Sequence, residues 1–163
     1  MLGWMERRER AMAGQSRATW VRRVTAVVVV LLLAACSSDD GPTVDEAGRT
    51  LRSHVLQLLK ERNARDIQVT DPGGRNIACD DGKARQTFAA TGRDLNTRVT
   101  PDALNDMMLG ALKRVGSYSI VESGDASQSL RVADRAARTI LFLESRMNGE
   151  YVVRGETECL RTS

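Results

Sequence analysis

The sequence predicts an α+β domain with two helices packed on one face of a mostly antiparallel sheet. Three observations carry that expectation. Segments 43–64 and 101–115 place apolar residues at helical spacing behind clear start signals. The stretches between and after them alternate apolar and polar residues and are broken by Gly, Asp and Asn turns. Asn148-Gly149 stands between two β-rich runs, the strongest short hairpin signal, because both central residues of such a turn need positive φ. With 163 residues and one strongly apolar run, the chain is neither a large multidomain enzyme nor a polytopic membrane protein.

The elements follow in order. Thr43 and Glu46 have the spacing of a capping box, and Ala47, Leu51, Val55, Leu58 and Leu59 form the apolar stripe of the first helix. Ile67–Val69 is a short strand closed by Asp71-Pro72-Gly73-Gly74, and Ile77–Cys79 is a second. After the turn Asp80-Asp81-Gly82-Lys83, residues 84–93 read as one strand, hairpin-paired to 76–79, with Phe88 and Ala90 on one face. Thr100 is placed to cap the second helix, Pro101 takes a position where its missing N–H costs nothing, and Asp102 suits the positive helix end. Leu104, Met107, Met108, Ala111, Leu112 and Val115 share a face, and Gly116 closes the helix where a left-handed residue is wanted. Strands follow at 118–122, 128–134 (after a Gly124-Asp125 turn), 139–147 and 150–160. A two-residue Asn-Gly loop pairs Phe142 with Gly155 and Arg146 with Tyr151. The run Ile140-Leu141-Phe142-Leu143 predicts a central strand with both faces at least partly covered.

Residues 1–35 stand apart from this domain. Arg22-Arg23 precedes an apolar run from Val24 to Ala35, about a dozen residues, which is too short for a spanning helix and has the length of a secretory signal core. Met5 and Met12 are internal methionines, and a start at Met12 gives a more ordinary leader. Val24-Thr25-Ala26 lacks the bulky residues that follow a twin arginine in that export signal, so ordinary Sec export is expected. The segment Leu33-Ala34-Ala35-Cys36 resembles the lipobox of bacterial lipoproteins, and with the arginine-rich composition the chain resembles the small actinobacterial-type lipoproteins of uncharacterised function. The resemblance implies cleavage between Ala35 and Cys36, acylation of Cys36, and a domain over 43–163 on a polar tether, 36–42. It also implies a protein anchored in the lipid bilayer on the extracytoplasmic face of the cell membrane. It transfers no functional residue other than Cys36.

Cleavage changes the charge. The full chain carries a formal +3, but residues 1–35 take six arginines and two glutamates with them, leaving 18 basic and 19 acidic side chains. Both tryptophans, Trp4 and Trp20, also leave. A near-neutral domain poor in aromatics argues against a nucleic-acid partner. The two remaining cysteines, Cys79 and Cys159, are expected to pair in an oxidising compartment, since catalytic dithiols are usually close in sequence. A loop of about 80 residues closed in this way stabilises by about 4–5 kcal/mol in the chain-entropy model.

The search for chemistry finds little. His54, the one histidine, lies beside the stripe of the first helix, where a boundary residue is the expected role, and a lone histidine builds neither a zinc site nor a triad easily. Asp80-Asp81-Gly82 lacks the spaced ligands of a calcium loop and reads as a solvated turn. Glu156 and Glu158 alternate on one strand, with Glu144 and Arg154 nearby. They suit a surface charge mosaic, or else a carboxylate pair. There is no phosphate loop, nucleophile elbow or cofactor motif. The expectation is therefore no catalytic site, no metal and no cofactor, and a module that binds another envelope protein. The alternative is a carrier or sensor of a small apolar ligand held between helices and sheet, lined by Met107, Met108, Leu112, Ile140 and Phe142. An enzyme is the third reading.

Overall fold

The structure, a computed structural model, describes residues 41–123 and 129–162. The signal segment, Cys36 with most of the tether, and the Gly124-Asp125 turn lie outside the described residues. Helix α1 spans Val44–Glu61 and opens with the expected capping box: Thr43 Oγ1 accepts from the Glu46 amide at 3.3 Å, and Glu46 Oε2 accepts from the Thr43 amide at 2.9 Å. Bonding to the Thr43 amide holds the Glu46 carboxyl below its ordinary range. The helix ends three residues short of the expected 64, because Asn63 turns left-handed at φ 52°. Helix α2 spans Pro101–Ala111 and runs into a 3₁₀ turn, Leu112–Arg114. Pro101 starts it, but Thr100 caps it with extended backbone alone and makes no side-chain capping bond. Gly116 is not left-handed. Its requirement is steric: a Cβ there would come within 2.9 Å of Asp134 Oδ2 and 3.1 Å of both His54 Cε1 and Tyr118 Cε2.

Nine strands lie among the described residues: β1 Arg65–Asp71, β2 Ile77–Ala78, β3 Lys83–Arg85, β4 Thr87–Arg93, β5 Ser119–Ser123, β6 Leu130–Asp134, β7 Thr139–Leu143, β8 Glu150–Thr157 and β9 Leu160–Arg161. Six make one sheet in the order β1-β4-β8-β7-β6-β5, and β2-β3-β9 make a smaller one, with every neighbouring pair antiparallel. Both helices pack on one face of the large sheet, where Leu51, Val55, Leu58, Leu104, Met108 and Leu112 meet Phe88, Leu141, Leu143, Tyr151 and Val153. The predicted α+β class is the class observed.

Three strand expectations need correction. Residues 84–93 are two strands, not one. The chain breaks at Gln86, β3 pairing with β2 as expected while β4 joins β1 and β8. Residues 150–160 break in the same way after Thr157. The hairpin register is shifted by one: Phe142 faces Arg154, and Leu141 faces Gly155. Side chains that face each other across two strands share a side of the sheet, so this register puts Leu141, Leu143, Tyr151 and Val153 together on the core side. The connection is six residues, 144–149, rather than two, and of Asn148 and Gly149 only Gly149 has positive φ. Its amide and carbonyl are taken by Val99 O and the Asp94 amide, each at 2.9 Å.

Candidate functional site: the disulfide-bound small sheet

Chain order brings β3 and β9 together because β4 and β8 are neighbours and both leave the large sheet at the same level. At the crossing, the Gln86 amide donates to Thr157 Oγ1 at 3.0 Å and the Thr157 amide donates to Gln86 O at 2.9 Å. The buried Gln86 side chain then donates to Asp45 Oδ1 at 2.7 Å and to Asn76 Oδ1 at 2.8 Å, tying α1 and the 72–76 loop to the crossing. Gly48 on α1 leaves the room: a Cβ there would sit 2.0 Å from Gln86 Oε1.

The predicted Cys79–Cys159 disulfide is present, with Cα atoms 6.1 Å apart. It joins the turn after β2 to the residue before β9. Behind the small sheet Val44, Ala47, Ala84 and Leu160 bury a minor core. In front of it lies an open groove of about 660 Å³ lined by the two cysteines, Asp80, Asp81, Lys83 and Arg85. A smaller hollow of about 210 Å³ lies between Asp71, Arg75, Ile77 and Thr87. There the Thr87 hydroxyl donates to Asp71 Oδ2 at 2.6 Å and holds that carboxyl below its ordinary range. Among the described residues, no group of three His, Cys, Asp or Glu side chains could hold a metal ion.

The structure separates the residues named for the apolar-ligand reading. Met108 and Leu112 are buried in the main core with Met107 packed against it. Ile140 and Phe142 belong to the other side of β7, opposite Glu156 and Arg154. There the Phe142 ring carries the Arg154 guanidinium at 4.4 Å and that of Arg131 at 5.8 Å. These five side chains cannot line one cavity. Glu156 and Glu158 also go separate ways, Glu156 to Arg85 at 3.3 Å and Glu158 to Arg138 at 2.9 Å, while Glu144 pairs with Arg154 at 2.9 Å.

A second polar cluster was not visible in the sequence. His54 Nδ1 lies 2.8 Å from the Tyr118 hydroxyl, which lies 2.9 Å from Thr139 Oγ1. Asp134, buried beside them, accepts from the amides of Ser117, Ala136 and Ala137 at 2.9–3.1 Å. Burial pushes His54 below the ordinary imidazole value, against the opposing charge of Asp134, and pushes the Tyr118 hydroxyl up. The cluster is a hydrogen-bonded tie between α1, β5, β6 and β7. Its members are spread from residue 54 to residue 139, and the only local hint was a histidine next to an apolar stripe.

The chain matches no protein-family model and no functionally curated protein. Among solved structures it is similar to a DUF4853 family protein from Actinomyces odontolyticus, with a TM-score of 0.50 over 76% of this chain and 72% of that one, at 10% identity. At that identity the likeness concerns the fold, a two-helix α+β domain of the kind predicted.

Proposed function

We propose that this protein is a membrane-anchored extracytoplasmic lipoprotein, cleaved before Cys36 and acylated there, whose domain is a non-catalytic module for another envelope protein. The observation that carries the reading is the order Arg22-Arg23, a short apolar run, and Leu33-Ala34-Ala35-Cys36. The Cys79–Cys159 bridge supports it, because such bonds persist outside the cytoplasm. The interaction role is supported by Leu95 and Met147, which are 64% and 62% exposed. Both lie where the 94–99 segment meets the β7–β8 loop, at the opposite end of β4 from the small sheet. The test is Cys36→Ser in the producing cell. The expected outcome is an unprocessed precursor or loss of the protein from the membrane fraction. Unchanged processing and unchanged membrane retention would refute the anchor.

A further inference from the structure

We propose that the outward face of the β2-β3-β9 sheet rests against the phosphate head groups of an anionic bilayer and so sets the orientation of the domain on its anchor. The inference rests on acylation of Cys36. From Cys36 to Gly41 the chain reaches at most about 18 Å. Gly41 is held at the small sheet, where Arg161 Nη2 donates to its carbonyl at 3.3 Å. Whatever surface surrounds Gly41 therefore stays close to the lipid.

That surface has a composition suited to lipid. Lys83 faces Arg161 across β3 and β9, and Ile77 faces Arg85 across β2 and β3. Lys83 and Arg85 are two apart on one strand, so all four share one side of the sheet, while Ala84 and Leu160 turn to the minor core. Ile77 is 41% exposed beside these cations. Lys83 and Arg161, directly opposite each other on neighbouring strands, put two cations on this side, Arg161 also donating to the Gly41 carbonyl and acting on the Glu46 carboxylate. Acids are present too: Glu156 pairs with Arg85, Asp80 and Asp81 line the groove next to Lys83, and Glu46 feels the charge of Arg161. They keep the attraction weak, so the covalent lipid does the retaining and this face does the orienting.

The chain has only three lysines, which makes the test direct. Lys83 is on the proposed face. Lys60 is in the last turn of α1, an 18-residue helix about 27 Å long that starts beside the small sheet. Lys113 follows α2, next to Arg114, whose carbonyl accepts from Gln57 near that same helix end. The full processed protein is reconstituted into vesicles of phosphatidylglycerol and phosphatidylcholine, and each lysine is acylated with an amine-reactive probe and followed by mass spectrometry. Lys83 is expected to react about threefold or more slowly than in phosphatidylcholine-only vesicles, with Lys60 and Lys113 unchanged. High salt should restore its rate, and Asp80→Asn/Asp81→Asn should slow it further. Equal Lys83 rates in both vesicles, or protection of Lys60 and Lys113 instead, would overturn the orientation. The same spectra read the mass of Cys36. An unmodified Cys36 refutes the anchor and this inference with it, whereas an acylated Cys36 with an unprotected Lys83 refutes the inference alone.

Discussion

The large sheet buries a continuous core running from Leu51 to Val153 under two helices, while the small sheet shares only Val44, Ala47, Ala84 and Leu160 with the start of α1. The difference shows how a region with too little apolar surface is held: by one covalent bond at Cys79–Cys159 and by a relay of polar bonds through Gln86. Burial of apolar area is the main favourable term where area is available. Where it is not, cross-links and satisfied buried polar groups take over.

Breaking the covalent part should have the largest effect. Cys79→Ser/Cys159→Ser is expected to lower unfolding stability by about 4 kcal/mol, read by urea denaturation. In hydrogen exchange the amides of β2, β3 and β9 should lose protection well before those of β7. If β7 loses protection together with β3, the two regions are one cooperative unit and the contrast fails. Leu141→Ala in the main core should cost about 3 kcal/mol and lower protection throughout the large sheet. Gln86→Ala should cost about 1–2 kcal/mol by leaving Asp45 and Asn76 without their donor, and it should loosen the small sheet selectively in the same experiment.

The smallest effect concerns the His54 cluster. Burial lowers the folded-state value of His54, so as pH falls below about 6.5 the unfolded chain binds the proton first. Stability should therefore be independent of His54 at alkaline pH and decline as pH drops through that range. His54→Gln is expected to flatten that part of the urea-midpoint profile. The lowered values of Glu46 and Asp71 add a separate loss at more acidic pH, below the usual carboxylate range.

The parts of this structure that were legible in the sequence are those written locally. The Thr43–Glu46 box, Pro101 and the apolar stripes are read within one or two helical turns, and two cysteines leave one pairing. The strand breaks at Gln86 and Glu158 were hidden because apolar alternation runs through them. The bonds made at the breaks are long-range: Gln86 exchanges bonds with Thr157, some 70 residues away, and the Glu158 amide donates to Arg138 O. The one-residue hairpin error had a visible remedy. Leu141, Leu143, Tyr151 and Val153 all occupy odd positions, so a register that brings them to one face must pair odd with odd, as Leu143 with Val153 does. Gly116 has the local sequence context of a conformational glycine, but its neighbours Asp134, His54 and Tyr118, which only the fold assembles, make it a steric one. The small sheet's role at the domain entry was equally hidden, since its strands come from residues 77–85 and 160–161.

The position of β8 has a kinetic consequence. It lies between β4 and β7, so before residues 150–157 are available the β1-β4 ladder and the β7-β6-β5 ladder have no shared edge. The β1-β4 ladder alone is a two-stranded ribbon, marginally stable at best in water. The β4–β8 pairing joins residues about 60 apart, a non-local closure that forms slowly. The nascent chain should thus stay open until its eighth strand arrives, and collapse in a single late step once it does.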